Sequence, residues 1–311
     1  MKNQSTITEF ILVGLSSFPE HQMFIFWAFF FFYAAALVGN ALIILAICTC
    51  SKLHMPMYFL LINLSIINVC SISVTVPKML QTILAMRKTI TFPGCITQVY
   101  LFTLALGTEL LLLAFMAFDR YAAICHPFQY SVIMRKEVCI GVMAGLWLIG
   151  MVNSTVHTGL VVQLSFCNSN VINHFFCELP PMFKISCSDT SLNEIMVFAA
   201  SVIIAIGSCA LTLTSYWFIL RTIIRIRSTE GKKKAFSTCS SHLLVVSFYY
   251  STIIYTFLRP ASAYSLEEDK VIAILYSVVT PVFNPLIYSL RNTDVKEALA
   301  KVIGRRFFQR D

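Results

Sequence analysis

Residues 23–48 read MFIFWAFFFFYAAALVGNALIILAIC, a run of 26 residues without a charged side chain. An α-helix rises about 1.5 Å per residue, so this run is long enough to cross the roughly 30 Å hydrocarbon core of a bilayer. Unbroken runs of this kind exclude a membrane β-barrel, whose strands alternate apolar and polar residues. Six further predominantly apolar stretches follow it, at about 56–84, 96–119, 138–161, 195–220, 236–258 and 271–290. The sequence therefore predicts an all-α fold, a bundle of seven transmembrane helices.

The overall composition supports a membrane protein. The 311 residues are 58% hydrophobic and 12% charged, whereas soluble domains are roughly 45–50% apolar and about 25% charged. This difference excludes a soluble globule, and the 26 Phe and 12 Tyr residues exclude a disordered chain. The connections are too short for a separate soluble domain, so we predict one membrane domain over 1–311. Residues 1–22 and 291–311 are its predicted tails, and the first has no apolar stretch typical of a cleavable signal peptide.

Lys and Arg residues are distributed unevenly between the two sides of the predicted bundle. With the N-terminus outside, the external segments hold six of them and the internal segments sixteen, while Lys78 lies within the second span. Because these residues favour the cytoplasmic side, we predict a multi-pass plasma-membrane protein with an extracellular N-terminus and a cytoplasmic C-terminus. The net charge of +8 then faces anionic membrane lipids and indicates no nucleic-acid partner.

The C-terminal tail combines apolar residues at helical spacing with flanking basic residues. The apolar positions are Val295, Leu299, Val302 and Ile303, and the basic ones are Lys296, Lys301, Arg305 and Arg306. This pattern predicts a short amphipathic cytoplasmic helix that lies on the inner leaflet.

Four of the eleven cysteines face the oxidising exterior in this topology, namely Cys95, Cys167, Cys177 and Cys187. Four cysteines allow three pairings, and their spacing does not choose among them. The other seven are expected to be small packing residues. Asn3 begins an Asn-Gln-Ser glycosylation sequon on the external tail and is the candidate acceptor.

Charged and amide side chains within the spans are functional candidates, because burying them in hydrocarbon is costly. Glu109 and Asn68 lie mid-span in the third and second segments, where they could form a polar or cation-binding cluster, or a hydrogen bond that only joins the helices. Asp119, Arg120 and Tyr121 end the third span. Their adjacent acid and base could be an ion-pair switch, or Arg120 could simply extend towards lipid headgroups.

The last span contains two prolines, Pro281 and Pro285, which remove backbone donors and kink a helix. We expect Asn284 or water to satisfy the carbonyls that they leave free.

Several motifs, in this order along the chain, resemble the rhodopsin-like G-protein-coupled receptors and, more narrowly, the odorant receptor family. They are Gly39-Asn40, LHMPMYFL (53–60), MAFDRYAAICHP (116–127), SCSD (186–189), KAFSTCSSHL (234–243) and YSLRN (288–292). The resemblance covers nearly the whole chain. The chain departs from the usual family pattern at Asn68, where Asp is common, at Phe118, where Tyr is common, and at 249–252, where Phe-Tyr-Gly-Thr is common.

The resemblance implies disulfides from Cys95 to Cys177 and from Cys167 to Cys187. It also implies a set of residues that couple to a G protein or rearrange on activation. These are Asp119, Arg120, Tyr121, Tyr216, Lys234, His242, Tyr250, Asn284, Pro285 and Tyr288.

By analogy with such receptors, the ligand would bind between the outer halves of spans three, five and six, with contributions from spans four and seven and from the external loop. The candidate residues are Phe102, Thr103, Leu106, Gly107, Asn153, His157, Ala200, Ser201, Ile204, Ile253, Thr256 and Phe257. They are mostly apolar, with a few hydrogen-bonding groups and no carboxylate. This set favours a small neutral volatile ligand over an amine.

The sequence thus favours an odorant receptor that activates a stimulatory G protein and raises cyclic AMP. The expected partners are a small-molecule odorant, a heterotrimeric stimulatory G protein and membrane lipids, and no cofactor or metal is expected. A seven-helix receptor for a non-odorant small molecule and a membrane transporter are the alternatives. A retinal protein would need a lysine within 271–290, which has none, and an intramembrane enzyme would need a second carboxylate to pair with Glu109.

Overall fold

Seven helical rods lie side by side in the part of the chain that the structure describes. The structure is a computed structural model, and it describes residues 7–15, 19–85, 87–167, 170–226, 228–258, 266–291 and 293–308. The helices are α1 (Pro19–Thr49), α2 (Pro56–Leu84), α3 (Phe92–Cys125), α4 (Tyr130–Ile133), α5 (Lys136–Val162), α6 (Leu179–Lys184), α7 (Ser191–Ala200), α8 (Gly207–Arg225), α9 (Thr229–Leu258), α10 (Leu266–Ile274), α11 (Thr280–Arg291) and α12 (Thr293–Phe308). The short strands are β1 (Glu9–Leu12), β2 (Thr89–Thr91) and β3 (Val171–Ile172).

The rods are α1, α2, α3, α5, α9 and two composite helices, which we call the α7–α8 rod and the α10–α11 rod. Six of the seven are long and apolar enough to cross a membrane, and α9 contains a shorter apolar segment, His242–Leu258. The first part of α9 is polar because it includes Glu230 and three consecutive lysines at 232–234. The prediction of an all-α, seven-helix membrane bundle is confirmed.

A π-helical turn joins the two parts of each composite rod. Ser201–Ile206 connects α7 to α8, and Leu275–Val279 connects α10 to α11. The second turn ends two residues before Pro281. A proline ring crowds the preceding turn of a helix, and its nitrogen has no hydrogen to donate. The wider turn accommodates this proline and leaves the rod continuous.

Pro285 leaves the carbonyl of Pro281 without its normal helical donor four residues later. The side-chain amide of Asn40, on α1, donates to that carbonyl at 3.0 Å. The prediction that Asn284 or water satisfies the freed carbonyls is therefore wrong for this one. Asn284, three residues later, donates instead to Asn68 on α2, at 3.2 Å.

The strands form a small sheet at one end of the bundle. β1 pairs antiparallel with β2 and parallel with β3. Phe10 and Leu12 of β1 are fully buried there, and the ring of Phe10 packs edge-on against that of Phe166 at 5.3 Å. We call this end, which also carries residues 163–167 and 170–190, the loop end. The opposite end, where α3 and α8 finish, is the Arg120 end.

Helix α12 is amphipathic, as predicted, and part of its apolar face packs on the protein. Val295 and Ala298 are buried within the main apolar core, and Leu299 and Val302 pack against that core. The predicted stripe assigned Val295, Leu299 and Val302 to the membrane. That assignment is wrong for Val295, because α12 lies directly against α1.

Helices α3 and α5 approach each other closely at Gly150. A Cβ atom at this position would overlap the Thr108 hydroxyl and lie 3.1 Å from the Leu104 side chain. One helical turn later, the Ser154 hydroxyl donates to the Tyr100 carbonyl at 2.5 Å. Small residues on this face of α5 therefore allow the two backbones to come together.

We predict that Gly150→Ala destabilises the purified protein by about 1–3 kcal/mol, because the added methyl group must displace α3. The matched control is Gly159→Ala on the same helix, where a Cβ would have no atom within 4 Å. The thermal unfolding midpoint in detergent measures both. Equal midpoints for the two variants would contradict this close approach.

Candidate functional site

A cavity of about 50 Å³ lies between α3, α5, the α7–α8 rod and α9, below the loop end. The following residues line it: Thr103, Leu106, Gly107, Leu110, Asn153, His157, Leu179, Val197, Ala200, Ser201, Ile204, Ala205, Ile253 and Phe257. They are mostly apolar, with hydroxyl, amide and imidazole groups among them. None of these described lining residues is an Asp, Glu, Lys or Arg.

Ten of the twelve candidate ligand residues line this cavity, and Phe102 and Thr256 do not. The Phe102 ring packs instead on Phe176 in the loop, with ring centroids 4.9 Å apart. Thr256 donates its hydroxyl to the Thr252 carbonyl at 2.9 Å and borders a different cavity. Each of these residues is one position away from a cavity-lining residue, Thr103 or Phe257, and a step of one residue turns a helical side chain by about 100°.

Four lining residues were absent from the candidate set. Leu110, Val197 and Ala205 continue the spacing of four residues from Leu106 and Ser201, so helical periodicity could have identified them. Leu179 comes from the loop segment after Cys177. No periodicity in the sequence indicates that this loop residue reaches the cavity.

Two disulfides hold the long connection over the loop end. Cys95 at the start of α3 is bonded to Cys177, with Cα atoms 5.5 Å apart, and Cys167 is bonded to Cys187, with Cα atoms 6.0 Å apart. These are the two pairings that the family resemblance implies. Gln98 reinforces the first, because its amide donates to the Val74 carbonyl and its oxygen accepts from the Cys177 nitrogen, both at 2.7 Å.

Beneath this connection lies a second cavity of about 220 Å³, lined in part by ionisable side chains. Glu178 accepts a hydrogen bond from the Tyr276 hydroxyl at 2.7 Å and lies 3.4 Å from the His174 ring nitrogen. Lys184 pairs with Asp269 at 3.8 Å. Burial raises the pKa of the Glu178 carboxyl to about 7. Burial, aided by the positive charge of Lys270, lowers the pKa of His174 to about 3.

A network of amide and carboxyl groups crosses the middle of the bundle. Asn68 donates to the Asn40 oxygen at 3.1 Å, and Asn284 donates to both the Asn68 oxygen at 3.2 Å and the Glu109 carboxylate at 3.5 Å. The Tyr249 hydroxyl also bonds Glu109. The network therefore includes Asn68 and Glu109, as the sequence suggested, and adds Asn40, Tyr249 and Asn284.

An ion pair occupies the Arg120 end. The Arg120 guanidinium bonds the Asp119 carboxylate, and the Tyr130 hydroxyl on α4 donates to the other oxygen of Asp119 at 2.7 Å. The sequence suggested the ion pair and missed Tyr130, which no local pattern connects to Asp119. Tyr121 contacts His126, with its hydroxyl 2.9 Å from the ring nitrogen.

The other candidate coupling residues lie between the cavity and the Arg120 end. The Tyr216 hydroxyl and the His242 Nδ1 atom are 2.7 Å apart and join α8 to α9. Tyr250 donates to the Leu110 carbonyl at 3.1 Å. Pro285 and Tyr288 lie on α11, and Gly39 on α1 leaves room for the Pro285 ring. Asn3 and the side chain of Lys234 lie outside the described residues.

We predict that the loop end becomes less stable as pH rises from about 4.5 to about 7, the interval between the unfolded and the folded pKa of Glu178. A carboxyl whose pKa is raised from 4.5 to about 7 stabilises the fold while it is protonated. This stability, on the order of 3 kcal/mol, is lost as the group ionises. His174 stays neutral in this range, because its pKa is lowered to about 3. Amide hydrogen exchange over residues 171–185, corrected for intrinsic rates, should show faster opening at pH 8 than at pH 5.5.

Glu178→Gln should remove this pH dependence, because the amide is neutral at both pH values. Glu194→Gln, which changes an exposed carboxylate on α7, serves as the control and should retain it. The same pH dependence in the wild type and in Glu178→Gln would contradict the role of Glu178.

Comparison with known proteins agrees with this architecture. Residues 29–306 match the family model described as olfactory receptor. The chain is 48% identical to human olfactory receptor 13G1 over 97% of this chain and 98% of that protein. It is 48% identical to human olfactory receptor 5F1 over 98% of this chain and 97% of that protein, and 45% identical to mouse olfactory receptor 5AR1 over 98% of each. The chain therefore belongs to the olfactory receptor family.

Proposed function

We propose that this odorant receptor binds a small, neutral, mostly apolar volatile in the cavity between α3, α5, the α7–α8 rod and α9. The observation that carries the proposal is the lining of that cavity, which combines aliphatic side chains with a few uncharged polar groups. Apolar burial would supply most of the affinity, and Thr103, Ser201, Asn153 or His157 would orient the ligand by hydrogen bonds. A cationic amine would find no carboxylate among the described lining residues.

The volume of the cavity indicates how binding would be linked to a change in the bundle. At about 50 Å³ it is far smaller than the roughly 300–1,000 Å³ of typical ligand pockets. An odorant must therefore bind a conformation in which the walls have moved apart. A ligand that binds this wider conformation preferentially shifts the population towards it.

Contacts from the cavity lead towards the Arg120 end. The carbonyl of Leu110, a cavity residue, accepts the hydrogen bond from Tyr250 on α9. Further along α9, His242 bonds Tyr216 on α8. A wider cavity would move α9 relative to α3 and α8, break these bonds and open the Arg120 end. Arg120, together with Lys234 on α9, would then bind a G protein.

We propose the stimulatory class of G protein, with cyclic AMP as the output, and an orientation with the loop end outside the cell. The excess of Lys and Arg near the Arg120 end supports this orientation. The two disulfides at the loop end also support it, because disulfides persist in oxidising compartments. On the same orientation, Asn3 would be glycosylated.

The test of the ligand site is a cyclic-AMP assay in cells that display the receptor, with a chemically diverse odorant panel. We expect Gly107→Val to raise the half-maximal odorant concentration at least tenfold, because the valine side chain would extend into the cavity. Gly145→Val is the matched control, since a Cβ there has no atom within 4 Å. Equal potency in both variants would place the ligand elsewhere. Responses only to non-volatile molecules would favour the non-odorant receptor.

We predict that Tyr130→Phe raises signalling in the absence of odorant severalfold. The substitution removes one hydrogen bond, worth about 1 kcal/mol, that holds Asp119 in its pair with Arg120. Tyr255→Phe, at the loop end, should leave basal cyclic AMP unchanged, and Arg120→Ala should abolish the odorant response. Basal signalling at the wild-type level in Tyr130→Phe, at equal surface display, would contradict this function for Tyr130.

A further inference from the structure

Lys78 is a charged residue within a membrane-spanning helix, and the proposed signalling mechanism does not use it. Helix α2 has 29 residues, so it is about 43 Å long, which matches the 40–45 Å of a bilayer with its headgroups. Lys78 lies six residues before the end of α2 at Leu84, which is about 9 Å along the axis. Its ammonium group can therefore extend to the level of the lipid headgroups.

The side chain of Lys78 borders a groove of about 590 Å³ between α2 and α3. Arg87 lines the same groove, as do the polar residues Gln81, Thr97 and Gln98. None of the described lining residues is an Asp or Glu. Within the described part of the chain, no ion pair joins Lys78 or Arg87 to a carboxylate, and the hydrogen bond of the Lys78 ammonium is to the Gln81 side chain at 3.0 Å.

Two cations at headgroup depth, without a carboxylate partner, are complementary to an anion. The first turn of α3, a helix of 34 residues that begins at Phe92, also borders the groove through Gly94. The partial positive charge of this helix end has the same sign as the two side chains. The groove is much larger than a single inorganic ion needs, and membrane lipids place phosphate groups at this depth.

We propose that this groove binds the phosphodiester group of a membrane phospholipid, with Lys78 and Arg87 contacting the phosphate oxygens. The polar side chains contact the glycerol and headgroup, and the acyl chains extend along the membrane face of α2 and α3. The site is separate from the odorant cavity and requires only that the chain spans a membrane. Gln98 connects the groove to Cys177, so bound lipid also stabilises the loop end.

Native mass spectrometry of the purified full-length receptor in detergent tests the proposal. The probes are phosphatidylglycerol, diacylglycerol with the same acyl chains, and inorganic phosphate. We expect one phosphatidylglycerol to be retained per receptor, with at least tenfold weaker retention of diacylglycerol and of inorganic phosphate. Equal retention of diacylglycerol would show an apolar groove, and equal retention of inorganic phosphate would show a free-anion site. Either result would overturn the proposal.

Variants distinguish lipid binding in this groove from nonspecific attraction between the lipid and the positive charge of the protein. We expect Lys78→Gln and Arg87→Gln each to weaken phosphatidylglycerol binding about tenfold or more, and Lys78→Arg to retain it. Lys136→Gln, which removes the same charge at the Arg120 end, is the matched control and should bind as the wild type does. Equal loss in the control and in Lys78→Gln would overturn the proposal. If Lys78→Gln does not fold, Arg87→Gln, at an exposed position, decides the result.

Discussion

The bundle depends on a chain of amide hydrogen bonds in its middle, where the side chains are buried away from bulk solvent. Asn40, Asn68, Asn284 and Glu109 lie on four different rods, and each is almost completely buried. In hydrocarbon a polar group without a partner costs several kcal/mol, so these four helices can pack together only in an arrangement that satisfies all of them. Asn40 also bonds the carbonyl left free by Pro285. The same contacts therefore set the positions of the helices and allow the prolines in the last rod.

The features that could be predicted from the sequence are those set by residue type and helical period. Uninterrupted apolar runs identify the seven helices, because a segment of about 20 residues that crosses a membrane can adopt few structures other than a helix. Helical spacing also brings most candidate ligand residues to one cavity, and it could have added Leu110, Val197 and Ala205. Family membership further means that the chain is a receptor and not an enzyme.

The features that could not be predicted depend on contacts between distant segments. The sheet of β1, β2 and β3 joins three short stretches that are up to about 160 residues apart, and none has a strong strand pattern alone. Leu179 reaches the cavity because the loop is held at Cys177. Tyr130 meets Asp119 through a turn between α3 and α4. Phe102 faces away from the cavity because aromatic rings in the loop pack against it. Helical periodicity alone does not predict this contact with a distant loop.

The π-helical turn at Ser201–Ile206 has a consequence for how such receptors diversify. A π turn accommodates one residue more than an α-helical turn, so deletion of one residue there could restore a regular helix without shortening the packed segments on either side. Each residue in an α-helix turns the chain by 100°. Such a deletion would rotate Val197 and Ala200 relative to Ile204 and Ala205, and one wall of the cavity would present different side chains. A single-codon length change at this position could therefore alter ligand selectivity in one evolutionary step, while the Arg120 end stayed intact.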